Sequence, residues 1–169
     1  MRWESPLQDC TNMFNKLEDI ISFDFSKFDT SEVTDMRCMF SQLSEVEVLD
    51  LSNFVTNKVQ TMIAMFEACP KLKTVYMYNF NTSSVKTMKY MFNECGSLTS
   101  IDMSNFDISK ITSMDQMFGK CTSLEYLNLN NLNFNSLSSN YYKNIFNDFT
   151  NSNYFIVLMK ILPLILNQK

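Results

Sequence analysis

"FDTSEVTDMRCMF", residues 28–40, decides how the rest of this chain is read. The same skeleton returns as "FVTNKVQTMIAMF" (54–66), "FNTSSVKTMKYMF" (80–92) and "FDISKITSMDQMF" (106–118). Phe28, Phe54, Phe80 and Phe106 form one column, Val33, Val59, Val85 and Ile111 a second, and Met36, Met62, Met88 and Met114 a third. The Met-Phe pair recurs at 13–14, 39–40, 65–66, 91–92 and 117–118, in steps of 26, and Ile145-Phe146 follows after 28. Apolar residues held at fixed offsets while their neighbours vary mark a repeat whose single unit buries too little to fold alone and covers its core by stacking.

Two rhythms alternate inside each unit. "VLDLS" (48–52) places Leu49 and Leu51 two apart, with equivalents at Phe23/Phe25, Val75/Met77, Ile101/Met103 and Leu127/Leu129. That alternation predicts a short strand with one buried face. "VTDMRCMFSQLSEV" (33–46) spaces Val33, Met36, Met39, Phe40, Leu43 and Val46 by threes and fours, which predicts one face of a short helix. Asp29, Thr30 and Ser31 before it are short polar residues suited to accept from the free amides of a first helical turn, and Asp107 and Ser109 stand likewise in a later unit. The expected fold is thus α/β: a solenoid with one coil per repeat step, a parallel sheet face on one side and short helices on the other. Neighbouring strands in one sheet set a coil-to-coil rise of about 4.8 Å.

The whole chain, residues 1–169, reads as one domain. Residues 1–20 form a partial opening unit; 21–46, 47–72, 73–98 and 99–124 are regular units; 125–152 is longer; and 153–169 closes the array with the apolar run "FIVLMKILPLIL" (155–166). That run contains Lys160 and Pro163 and is much shorter than a membrane span, which needs about 20 apolar residues. It is expected to be a buried terminal segment, and self-association through the solenoid ends is a further expectation. The N-terminal stretch "MRWESPLQDC" shows no apolar export signal, and the chain begins in mid-unit, as a fragment of a longer array would.

Composition narrows the chemistry. The net charge of −4 leaves no basic patch to neutralise phosphates, so nucleic acid is not an expected partner. Histidine is absent, which removes the usual general base and the commonest metal ligand. The two glycines, Gly96 and Gly119, are too far apart to make a phosphate-cradling loop. No enzyme activity and no cofactor are expected.

The order "VEVLDLSNF" (46–54) resembles a leucine-rich repeat, with Val46, Leu49 and Leu51 in the leucine positions and Phe54 where asparagine is usual. Phe80 and Phe106 share that departure, so buried phenylalanines are expected to fill the coil corner. The combination "LDLSNF…T…V…M…MF…C" with its step of 26 resembles the BspA-type leucine-rich-repeat bacterial surface proteins over about residues 7–130. The resemblance implies a cell-surface or extracellular adhesion scaffold with a protein or glycan ligand. It carries over no functional residue, because the shared positions are core. The missing export signal supports an alternative, an intracellular scaffold; a structural spacer within a longer array is another.

Binding residues are therefore sought among the variable positions. The outward strand positions read Ser22-Asp24-Ser26, Val48-Asp50-Ser52, Thr74-Tyr76-Tyr78, Ser100-Asp102-Ser104 and Tyr126-Asn128-Asn130. Tyr76, Tyr78 and Tyr126 suit protein or glycan contact, because tyrosine offers a large area at low entropy cost. Asp24 and Asp50, expected neighbours across the sheet, either bridge a cation or, with Asp102 on the same face, keep it solvated. Cys69, Cys95 and Cys121 share a column, Cys10 sits in the Met36 column, and Cys38 is peculiar to its unit. A disulfide ladder or thiolate site and a row of small buried thiols both fit, the odd count and the lack of close pairs favouring the thiols. Asn53, Asn79, Asn105 and Asn131 suggest an amide ladder between coils. Asn81-Thr82-Ser83 matches a glycosylation acceptor.

Overall fold

A computed structural model describes residues 6–134, 137–142 and 144–147. The closing run 153–169 and part of the 125–152 unit lie outside the described residues. The strand expectation holds at four places: β1 (Val48–Asp50), β2 (Thr74–Tyr76), β3 (Ser100–Asp102) and β4 (Tyr126–Asn128). β1 pairs with β2 and β3 with β4, both parallel, with Leu49 opposite Val75 and Ile101 opposite Leu127, each partner one repeat step further along. Among the described residues, the single sheet expected from sequence is instead two two-stranded sheets. Phe23 and Phe25 lie outside any strand.

The helices expected opposite the sheet are absent: no described residue is α-helical. The segment 33–46 is a run of tight turns whose alternate amides reach the next unit. Met36, Cys38, Phe40 and Gln42 donate to the carbonyls of Thr61, Ile63, Met65 and Glu67 at 3.1, 2.9, 2.9 and 2.8 Å. The amides between them close turns, Met39 onto Met36 and Ser41 onto Cys38. The scheme returns from unit to unit, and parallel bridges run Asp9, Asp35, Thr61, Thr87, Ser113.

Stacked turns match the strand spacing directly, whereas stacked helices would require the array to curve. A helix with its side chains is about 10–12 Å across, whereas strands sit about 4.7–4.9 Å apart. Turns stack at nearly the strand spacing: successive rings of Phe14, Phe40, Phe66, Phe92, Phe118 and Phe146 lie 5.5, 5.9, 5.1, 5.8 and 5.7 Å apart. The cost is backbone strain. Asn12, Lys16, Cys38, Gln42, Ala64, Ala68, Tyr90, Glu94, Gln116 and Lys120 have φ between 51 and 63°, a left-handed conformation that costs non-glycine residues about 1–2 kcal/mol each. The inter-unit bonds offset it.

The predicted core is nonetheless the core. Val33, Met36, Met39, Phe40, Leu43 and Val46 are all fully buried, as are their counterparts at 59, 62, 65 and 66. A string of turns brings these side chains inward at the same intervals a helix would. Phe54, Phe80 and Phe106 fill the corner after the strand, as expected, and Phe80 stacks on Phe106 at 6.4 Å. Asp29, Thr30 and Ser31 start no helix. Asp29 Oδ1 accepts the Ser31 amide at 2.9 Å, an Asx turn.

Thr30 is buried and serves a ladder that sequence reasoning missed. Its hydroxyl donates to the Val55 carbonyl at 3.0 Å and accepts the Val55 amide at 2.8 Å. Thr56 does the same for Asn81, and Thr82 for Asp107. Gly119 answers a different constraint, close approach: a Cβ there would meet Asn93 Oδ1 at 2.5 Å.

Two substitutions test this architecture. Ala68 has φ 57°; in a helix interior Ala→Gly would cost about 1 kcal/mol, whereas here Ala68→Gly relieves left-handed strain and is expected to leave the melting temperature unchanged or raise it. Thr56→Val leaves the Asn81 amide and carbonyl without their hydroxyl partner, with an expected loss of about 1–3 kcal/mol by chemical denaturation.

Candidate partner-binding face

The outward residues of the strands and of the positions just after them make one surface. Leu49, Val75, Ile101 and Leu127 point into the core, and their neighbours on either side face solvent. Tyr76 and Tyr78 therefore emerge side by side from β2 and its end. Their rings stack at 5.5 Å and 26°, with Tyr78 68% exposed. Tyr126 is exposed too, opposite Ser100 in β4, and stands apart from the stacked pair. The structure thus brings two of the three sequence-selected tyrosines together.

Asp50 lies opposite Tyr76, and Asp102 holds the same strand position one unit further on, opposite Asn128. Each carboxylate also shapes the chain. Asp50 Oδ1 accepts the Ser52 amide at 3.0 Å, Asp102 Oδ1 that of Ser104 at 2.8 Å, and Asp24 Oδ1 that of Ser26 at 2.9 Å. Asn128 performs the same turn with Asn130 at 3.0 Å, so the turn needs the oxygen and not the charge. Bonds from Ser52 and Ser104 hold Asp50 and Asp102 below the ordinary aspartate value, as the Ser26 amide does for Asp24. Asp24 shares a surface concavity with Ser26, Lys27 and Phe28. Among the described residues, no three His, Cys, Asp or Glu side chains gather to hold a metal ion.

The asparagine column works between units, with backbone as its acceptor. Asn79 Nδ2 donates to Ser52 O at 2.7 Å and Asn131 Nδ2 to Ser104 O at 3.2 Å. Asn105 Nδ2 reaches the carbonyls of Met77, Tyr78 and Phe80 at 3.3, 3.2 and 3.0 Å. It ties unit to unit where β2 and β3 form no ladder, directly behind the tyrosine pair.

The cysteines carry no disulfide: all five are free. Cys69, Cys95 and Cys121 each donate a thiol to a core carbonyl of the preceding unit, those of Phe40, Phe66 and Phe92, at 3.1, 3.0 and 3.0 Å. Burial pushes the Cys10 thiol up to about 11 and the Cys121 thiol up to about 12. Cys10 and Cys121 are thus structural thiols, far from thiolate reactivity, whereas the bond with the Cys95 side chain lowers the Cys69 value.

Charge pairing between units is a further feature not read from sequence, although the repeat step contains it. Lys58 meets Glu32, Lys71 meets Glu45, Lys73 meets Glu47 and Lys120 meets Glu94, at 2.5, 2.6, 2.8 and 2.6 Å. Each lysine sits one repeat step after its acid. These pairs are exposed and individually weak, about 0–1 kcal/mol.

The chain belongs to the family described as "Mycoplasma protein of unknown function, DUF285", whose model matches residues 3–75 and again 44–156. No curated protein and no solved structure matches it. No helix of the described residues is long and apolar enough to cross a membrane.

The Asx-turn aspartates give an acid limit to stability. Asp9, Asp24, Asp29, Asp50, Asp102 and Asp107 all titrate below the ordinary value of 3.8 in the folded chain. The unfolded chain therefore takes up protons first as pH falls, and stability present above 3.8 is lost as pH drops through the folded values. Thermal melting is expected to be level from neutrality to about pH 5 and to fall below about pH 4.

Proposed function

We propose that this chain is a non-catalytic interaction module: a leucine-rich-repeat-like solenoid that presents its strand face to a protein or glycan partner, in the manner of a bacterial surface adhesion scaffold. The observation that carries the reading is the Tyr76–Tyr78 stack, two large aromatic side chains held side by side in solvent on the strand face. Free aromatic area of this kind is costly to leave in water and is enriched at binding hot spots.

Other features support it. The repeating columns are absorbed by the core and by unit-to-unit bonds. The chain has no histidine for acid-base work, and Asp50 and Asp102 already accept turn amides. The family match is compatible with the similarity to BspA-type surface proteins, which makes the cell surface the proposed location. Tyr126 and Asp24 are assigned to the flanks of this face.

The test is the double substitution Tyr76→Ser and Tyr78→Ser, assayed on a glycan array and on immobilised extracellular-matrix and cell-surface proteins. Removing two hot-spot aromatics is expected to weaken binding at least about tenfold. The melting temperature should stay within a few degrees of the parent. Undiminished affinity in a folded variant would refute the assignment.

A further inference from the structure

We infer that Asp50, Tyr76, Tyr78 and Asp102 form a docking face for a basic segment of a partner protein, one that lays a lysine or arginine side chain on the tyrosines between the two carboxylates. This rests on the strand face being the binding surface and goes further by naming the chemistry of the occupant.

The first argument is charge complementarity. Across the outward positions from Ser22 to Asn130 the face carries Asp24, Asp50 and Asp102 and not one lysine or arginine. Off the face, four glutamates are met by lysines one unit on, Glu32, Glu45, Glu47 and Glu94 by Lys58, Lys71, Lys73 and Lys120. At Asp50 and Asp102 the bonded neighbours are serine and asparagine, which leave the negative potential standing. Asp24 is set apart by Lys27 in the same concavity.

The second argument is a precedent within the molecule. Lys89 Nζ lies 4.8 Å from the centre of the Tyr90 ring and 3.5 Å from Asp115 Oδ2, the carboxylate coming from the next unit. A tyrosine and an aspartate one unit on thus already hold an ammonium group, by ring quadrupole and by charge. Asp102 stands one repeat step after Tyr76, in the column of the ring itself where Asp115 stands in the column of Lys89, and Asp50 lies opposite Tyr76 on the other side. The position that would supply a resident lysine, Val75, is buried. The constellation is present and its cation is left to come from outside.

The experiment uses the full chain and short fluorescent peptides alternating glycine with arginine, glutamate or serine, read by anisotropy. The arginine peptide is expected to bind, more weakly at roughly 300 mM than at roughly 50 mM NaCl, and the other two are not. Asp50→Asn with Asp102→Asn keeps both turns, as Asn128 shows, and should weaken binding about tenfold while flattening its salt dependence. Tyr76→Ser with Tyr78→Ser should weaken binding and leave the salt dependence in place. Glu45→Gln with Glu94→Gln changes the net charge equally but lies off the face, and should alter affinity less than about twofold. No binding by the arginine peptide, or equal loss from the off-face pair, overturns the proposal. If the tyrosine variant loses a glycan or protein ligand that the asparagine variant keeps, the face binds but its occupant is not basic; if neither variant loses anything, the binding face itself is wrong.

Discussion

Every level of this structure depends on one hydrogen bond, repeated: the amide of a residue in one turn segment donating to a carbonyl in the next unit. Phe40 to Met65, Phe66 to Met91 and Phe92 to Met117 all measure 2.9 Å. Because these bonds run between units, the turn segment cannot also be a helix, whose amides are consumed within one segment. Because they lock the rise, phenylalanines stack on phenylalanines, thiols reach the carbonyls behind them, and lysines meet glutamates one unit back. Because they are numerous, the turn segments tolerate positive φ at residues other than glycine.

The columns of the core were legible in the sequence, and the hydrogen bonding beneath them was not. Spacings of three and four at Val33, Met36, Met39, Phe40 and Leu43 report which side chains face inward. A helix and a string of turns answer that pattern alike. Left-handed positions are usually betrayed by glycine, but here they are held by Ala64, Ala68, Tyr90 and Glu94, ordinary helix formers among them. The mismatch between the width of a helix and the spacing of stacked strands was the available physical clue.

On the strand face, alternation alone placed Tyr76, Tyr78, Asp50 and Asp102 outward correctly. What alternation could not give is the ring stack within the pair or the second role of each aspartate as the acceptor of its own turn. The threonine ladder shows the same limit. Thr30, Thr56 and Thr82 recur in step, but a hydroxyl's burial and two-way bonding are tertiary facts. The free surface is what the repeat leaves over once core, corner, turns and ladders have taken their residues.

The direction of the amide-to-carbonyl bond gives the stack a polarity. From Met36 to Gln42, and at the equivalent places in other units, the turn segment offers donors toward higher residue numbers and acceptors toward lower ones. A single amide at the entry to that segment runs the other way, Thr34 to Gln8. The amides of Cys10, Asn12, Phe14 and Lys16 follow the rule, donating to the carbonyls of Asp35, Arg37, Met39 and Ser41. Two turn segments placed with their accepting sides face to face would have few protons to offer each other. Like ends repel and unlike ends match, as with the poles of a bar magnet. Two-fold stacking of turn segments is therefore chemically disfavoured, and the units run in one sense from each to the next.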